Sequence, residues 1–289
     1  MDFMKDFPDD ATCLEHLWRT RFSADGEHAK CPKCKVVRSF KRYDTSQQRQ
    51  SWTCTACGHH MHVLAGTIFA KSSTSLHLWF YAMYLMTSTR CGISAKQLER
   101  ELGVTYKTAW RMAYLIRTKL MTQDSEPFDS GNPVEIDETY VGGRARRRGR
   151  PAAGDNKVPV FGMVQRAGRV AAVTVPNVKR ATVFPHIQER VLPASTVYTD
   201  EYRVYENLSD EGYDHKRIPH AEKVYVSGDV HTNTIEGFWS LVKRGIGGVY
   251  HSVSAKHLQG YLNEYAWRYN ERHNPRAKFS TLLRRAAVL

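Results

Sequence analysis

The period of the apolar positions changes along this chain, and the changes divide it. From about Ala11 to Arg21 apolar residues recur with helical spacing. A stretch "SFKRYDTSQQRQSWTC" at 39–54 then alternates like short strands, and from Ser75 to Leu120 the spacing is helical again. The polar segment "TQDSEPFDSGNP" at 122–133, with two prolines and a glycine, reads as a linker. Beyond it "VEIDETYVGG", "KVPVFGMVQRAG" and "RVAAVTVPN" read as three consecutive strands. A helix from about Thr182 to Arg190, a fourth strand "STVYTD", a short helix near Tyr202 to Asn207 and an amphipathic helix within "HTNTIEGFWSLVKRG" at 231–245 follow. Helical period through Leu258, Leu262, Tyr265 and Tyr269 predicts last helices that pack on the sheet with their arginines outward.

Three strands, a helix, a strand and further helices is the element order of an α/β ribonuclease-H-like domain, a mixed sheet with helices on its faces. The expected organisation is therefore an N-terminal helix and ribbon at 1–70, a helical DNA-binding domain at 71–121, a linker at 122–133 and the ribonuclease-H-like domain at 134–289.

Charge narrows the partner. Lys and Arg number 42 against 29 Asp and Glu, a net charge of +13, which favours a polyanion, with nucleic acid first. The longest apolar run, "LWFYAMYLM" at 78–86, is far short of the roughly 20 residues of a membrane span. The start "MDFMKDFPDD" is acidic and has no apolar secretion segment, so a cytoplasmic protein with reduced thiols is expected.

Four of the six cysteines form "CPKC" (Cys31, Cys34) and "CTAC" (Cys54, Cys57), which is zinc-ribbon spacing for one structural Zn²⁺. Gly58 suits the positive φ that the second turn needs. His59 and His60 follow closely but are not needed once four thiolates complete the shell, and Cys13 and Cys91 read as packed thiols.

"GISAKQLERELGVTYKTAWRMAYLIRTKL" at 92–120 looks like a helix-turn-helix. Ser94 caps its first helix with Gln97 as capping-box partner, Leu98 and Leu102 form the apolar face, Gly103 ends it and Thr105 caps the second. That second helix offers Tyr106, Lys107 and Arg111 to a major groove. A plain helical hairpin with a glycine turn carries the same pattern. The arginine run "GGRARRRGRP" at 142–151, with Arg144, Arg146, Arg147 and Arg148, reads as a DNA-backbone contact.

Acids carry the chemistry. Asp137 sits inside an apolar strand, where a carboxylate is costly without a partner or a metal. Asp200 ends another strand, side by side with the first in this element order, and Glu236 lies on the helix that would cross their edge. Lys243 follows Glu236 on the same helix face. Glu135 shares the face of Asp137 while Glu138 points away; Asp229 is an alternative to Glu236. Trp239 reads as core, and His231 as a helix-entry or phosphate contact.

"EIDETYVGG", "YTDEYRVY" and "HTNTIEGFWSLVKRGIGGVYH" resemble the integrase-like core of bacterial insertion-sequence transposases of the DDE superfamily, in the ISXO-like subgroup with an N-terminal zinc ribbon; the resemblance covers nearly the whole chain. It implies cleavage of element ends and strand transfer into target DNA, with two Mg²⁺ (or Mn²⁺) ions held by Asp137, Asp200 and Glu236. Some members of the family carry Asn as third ligand, so Asn233 is the alternative, with charge favouring Glu236. Lys243 and Arg244 would contact the DNA backbone. Double-stranded DNA, both element ends and target, is the implied partner, and holding two ends together implies a homodimer or larger assembly. An inactive DNA-binding regulator, or a nuclease that cuts without joining, is the competing expectation.

Overall fold

The computed structural model describes residues 2–44, 50–129, 131–142, 157–218, 230–274 and 277–288. The chain forms two compact units, Met1–Leu120 with Asn274–Leu289, and Met121–His273. In the first, α1 (Phe3–Asp6) and α2 (Asp10–Arg21) precede a four-stranded sheet, β1 (His28–Lys30), β2 (Val37–Asp44), β3 (Gln50–Cys54) and β4 (His60–Met61), antiparallel and in that order. α2 begins where the Asp9 carboxylate accepts the Thr12 N–H at 2.7 Å. Trp18 of α2 lies flat on Trp52 of β3, with ring centroids 4.8 Å apart and planes 7° apart, and its indole N–H donates to the Gly26 carbonyl at 2.8 Å.

Three helices follow, α3 (Leu76–Ser88), α4 (Ala95–Leu102) and α5 (Tyr106–Leu115), the last running into a π-helical turn at Ile116–Leu120. Their caps are those expected. The Ser94 hydroxyl accepts the Gln97 N–H at 3.1 Å, Gly103 is left-handed at φ 64°, and Thr105 caps α5.

The second unit is built on a five-stranded sheet of β5 (Val134–Gly142), β6 (Lys157–Gln165), β7 (Val170–Thr174), β8 (Thr196–Thr199) and β9 (Asp214–Arg217), in the order β7-β6-β5-β8-β9. β5, β6 and β7 are antiparallel neighbours; β8 runs parallel to β5 and β9 parallel to β8. Helices α6 (Arg180–Arg190), α7 (Asn233–Gly245) and α8 (Ala255–Asn270) complete the unit. Val134, Ile136, Phe161 and Met163 face Val183 and Ile187 of α6. Val160, Val164 and Ala172, on the other face, meet Ile235, Phe238, Trp239 and Val242 of α7 and Leu258 and Leu262 of α8. This is the mixed sheet, covered on both faces, that the element order predicted.

Several expectations need correction. The segment expected as a linker is docked on the sheet: Phe128 is 2% exposed in the core, and Gln123 exchanges two hydrogen bonds of 2.8 Å with the backbone of Ala172. The last helix, α9 (Lys278–Val288), does not extend the sheet domain to 289. It belongs to the first unit, where Phe279 meets Phe7 and Tyr84 edge-on at 5.8 and 5.7 Å. The ribbon with its N-terminal helix and the helical region are likewise one unit rather than two: the Asp10 carboxylate accepts the Ser75 hydroxyl and the His77 N–H, each at 2.6 Å, and Phe7 meets Phe80 edge-on at 5.2 Å. The helix expected at Tyr202–Asn207 is a single 3-10 turn, Arg203–Tyr205. Nor are all the C-terminal arginines outward: Arg268 is buried and paired with Glu264 at 2.7 Å. Among the described residues no helix is long and apolar enough to cross a membrane.

Gly162 fixes the height of α7. A methyl group there would lie 2.4 Å from Cζ2 of Trp239, so only glycine lets the indole rest on the strand. Gly162→Ala should therefore lose about 1–3 kcal/mol, read as a lower urea midpoint. Gly237→Ala, on the open side of the same helix with nothing within 4 Å, should gain up to about 1 kcal/mol.

Candidate active site and metal centre

The two C-x-x-C turns have the same backbone. Lys35 N–H donates to the Cys31 carbonyl at 2.8 Å and Gly58 N–H to the Cys54 carbonyl at 3.0 Å. The residue closing each turn is left-handed, Lys35 at φ 63° and Gly58 at φ 70°. The turns bring the sulfurs of Cys31, Cys34, Cys54 and Cys57 within 4.8 Å of one another, with Cys31 and Cys57 at 3.7 Å. Four thiolates about 2.3 Å from a tetrahedral Zn²⁺ would stand roughly 3.8 Å apart, so the set fits zinc and closes its shell. Cys13 is buried as expected; Cys91 is exposed, not packed, because it lies in the turn before α4.

The acid site begins at Glu135. It is fully buried on β5, and its carboxylate receives the N–H groups of Thr234 and Ile235 at 2.8 and 3.0 Å, the Thr234 hydroxyl at 2.8 Å and the Arg166 guanidinium at 2.7 Å. It thereby caps α7 through space and matches the positive end of that helix. His231, just before α7, has Nδ1 3.3 Å from Glu135, and its carbonyl accepts Arg166 at 3.0 Å.

Two residues along the same face, Asp137 receives the indole N–H of Trp239 at 3.0 Å. Burial, then the charges of Glu138 and Asp200, push its carboxyl up to about 7. Asp200 follows β8, which pairs with β5 through Val134 opposite Val197 and Glu135 opposite Tyr198. Extending that register by two residues sets Asp200 level with Asp137. Its carboxylate accepts the Tyr202 N–H at 2.9 Å, which fixes the turn leaving the strand.

Glu138 emerges on the opposite face, as alternation requires, yet it belongs to the acidic cluster. The buried Tyr205 hydroxyl donates to it at 2.6 Å, and burial with the charge of Asp200 raises its carboxyl above the ordinary value. Burial, then the charge of Glu138, holds the Tyr205 phenol well above its ordinary value, so it stays a donor.

α7 presents the last two candidates. At about 100° per residue Glu236 and Lys243 lie roughly 60° and 40° from Trp239, whereas Asn233 is about 120° away. Trp239 is 4% exposed and touches Asp137, so the flank beside it is the one nearest the sheet edge. Glu236 is on that flank, its carboxylate accepting the Thr232 hydroxyl at 2.9 Å; Asn233 lies farther round the helix, and both side chains are exposed. The carboxylates of Asp137, Asp200 and Glu236 are less tightly gathered than the four sulfurs, which alone among the described residues bring three or more ligand atoms within 4.8 Å.

Lys243 and Arg244 are exposed at the end of α7, and Tyr106, Lys107 and Arg111 are exposed on α5. Asp229 and the run holding Arg144, Arg146, Arg147 and Arg148 lie outside the described residues. Sequence reasoning missed Glu135 as a cap, the Tyr205 bond to Glu138, and the double role of Trp239. Only the charged residue in an apolar strand at Glu135 could have signalled the first.

Glu135→Ala, which strands Arg166 and the first N–H groups of α7, should cost about 3–5 kcal/mol in urea denaturation. The purified, reduced protein should hold one zinc ion per chain, measured by elemental analysis, and Cys57→Ser should lose it.

The ISXO2-like transposase domain family matches residues 130–270. A protein of Halobacterium salinarum described as an uncharacterized protein in transposable element ISH50 is 32% identical over 254 residues, covering 82% of this chain and 84% of that one. An uncharacterized transposase-like protein of Haemophilus influenzae is 37% identical over 102 residues, covering 35% of this chain and 81% of that one. The Mos1 strand transfer complex is a distant structural likeness, with a TM-score of 0.30 at 12% identity over 72% of this chain and 75% of that one, too weak to bear on the fold. The matched segment spans β5 to α8 and contains Asp137, Asp200 and Glu236, and the Halobacterium relative extends over most of the chain: this protein belongs to the insertion-sequence transposases of the DDE superfamily, with an ISXO2-like transposase domain.

Proposed function

We propose that this protein cuts DNA at the ends of its insertion sequence and joins them to target DNA, with Asp137, Asp200 and Glu236 as the metal-binding acids. The observation that carries the reading is the register of β5 and β8, which sets Asp200 level with Asp137 beneath the helix that bears Glu236. A carboxyl raised to about 7, first by burial and then by the charges of Glu138 and Asp200, is a group that a bound cation would return to its charged form.

All three side chains offer hard oxygens, which suit Mg²⁺ or Mn²⁺. Two such ions, when bound, activate the attacking oxygen and stabilise the leaving oxygen of an in-line displacement at phosphorus. The protein's own contribution is orientation. Trp239 holds Asp137, the Tyr202 N–H holds Asp200, and Glu135 sets the start of the helix carrying Glu236. Lys243 and Arg244, exposed on the same helix, contact the phosphate backbone beside the scissile bond. The zinc ribbon and the α4–α5 hairpin bind duplex DNA, with Tyr106, Lys107 and Arg111 of α5 in a major groove and the 144–148 arginines on the backbone. The assembly on DNA is a homodimer or larger, acting in the cytoplasm.

The test is strand transfer by purified protein on labelled element-end duplex with Mg²⁺. Asp137→Ala, Asp200→Ala and Glu236→Gln should each abolish joined product, while Asn233→Ala keeps it. Loss in Asn233→Ala with activity in Glu236→Gln moves the third ligand one turn earlier; binding of the ends without cutting or joining by wild type leaves a DNA-binding regulator instead.

A further inference from the structure

The ribbon has two faces, and only one is used inside its own unit. Ala29, Phe40 and Trp52 are buried, with Trp18 stacked on Trp52 and 5.5 Å from Phe40. Cross-strand partners share a face, so the pairing assigns the other one: Lys30 opposite Val37, Lys41 opposite Thr53, and Thr53 opposite His60. Tyr43 lies on that face by alternation, 5.1 Å from the His60 ring, which the Thr53 hydroxyl meets at 2.8 Å.

Val37 is 64% exposed and Tyr43 48%, and Lys30, Lys41 and His60 are exposed beside them. No strand position on this face, among the described residues, is a carboxylate. One carboxylate reaches the face from its edge, Asp25 beside His28 at 2.8 Å; the exposed apolar and aromatic groups otherwise lie among cations, which complements a polyanion with planar bases.

The first zinc turn adds one more cation to this end of the sheet. Its left-handed position is an exposed Lys35, where the equivalent position of the second turn is Gly58. A side chain there costs about 1 kcal/mol against glycine, and the turn stands at the tip of the β1–β2 hairpin, next to Val36 and Val37. Lys71, Ala167, Ala194 and His251 are also left-handed, so it is the exposed ammonium beside Val36 and Val37, not the backbone, that points to a partner.

We propose that Lys35, Lys30, Lys41, Val37 and Tyr43 form a duplex-DNA interface on the outward face of the ribbon, with the lysines on phosphates and the apolar pair toward a groove. The proposal deepens the transposase reading and rests on DNA being the protein's substrate. It makes the ribbon a second DNA contact beside the α5 helix.

The experiment is fluorescence anisotropy of the zinc-loaded full chain with a labelled duplex of mixed sequence, across a salt series, with a thermal melt of each variant. One phosphate contact contributes about 0.9 to the slope of log affinity against log salt, or roughly eightfold at about 0.1 M salt. Lys35→Gly should lose about that factor and that slope while melting at the same or a higher temperature, an outcome a structural lysine cannot give. Lys30→Ala with Lys41→Ala should lose roughly twice the slope, and Lys5→Ala, on α1, should leave affinity unchanged. Wild-type affinity and slope in the Lys35 and Lys30/Lys41 variants, or an equal loss in Lys5→Ala, overturns the interface and leaves the transposase reading standing. Failure of wild type to bind the duplex at all overturns both.

Discussion

The second unit depends on one buried carboxylate that caps a helix. Glu135 is fully enclosed, and an isolated charge there would be untenable; four hydrogen bonds, from two helix N–H groups, a threonine hydroxyl and Arg166, make it tenable. Because two of those donors are the first free N–H groups of α7, the charge fixes where the helix begins and how it is turned. Everything later on α7 inherits that phase: Trp239 reaches Asp137, and Glu236 stands on the flank next to it. One residue off, the indole would no longer lie over Gly162 beside Asp137.

Gly162 is the second constraint. Glu135 anchors the start of α7, and the bare strand position opposite Asp137 lets the helix approach closely enough for an indole to lie between strand and helix. The tryptophan is therefore both core and site. Its ring buries a large apolar area at the centre of the α7 face, and its N–H holds the acid most raised by burial. The polar handle on an otherwise apolar residue lets a carboxylate sit at the margin of a hydrophobic layer without breaking it.

Much of this was legible in the sequence wherever one residue type carried the information locally. The caps at Ser94 and Thr105, the turn at Gly103 and the four cysteines each act over a few residues, and the alternation of β5 to β7 is strong because both faces are covered. What could not be read was settled by distant partners. β9, "DHKR", has no apolar alternation because it is an edge strand, and Phe128 looked like part of a linker because one apolar residue among polar ones gives no period. α9 has the same amphipathic pattern whichever unit it packs on; Phe279 and its aromatic neighbours on α1 and α3 decide it. For the acids, the strand context of Asp137 and Asp200 was legible, while the positions of Glu236 and Asn233 around α7 depend on the helix phase that Glu135 imposes.

The two sites show opposite ways of holding charge. The ribbon gathers four soft donors on two rigid turns, so its geometry is complete in the backbone: the left-handed residue after each pair sets the sulfurs, and the turn is the same whether glycine or lysine occupies it. The acid site spreads its donors over two strands and a helix and keeps each with a neutral partner, Trp239 for Asp137, Tyr205 for Glu138 and Thr232 for Glu236. Neutral donors orient a carboxylate without cancelling its charge, where an arginine in any of those places would have neutralised it. Arg166 pairs with Glu135, and that pairing separates the acid that builds the helix from the acids held by neutral donors.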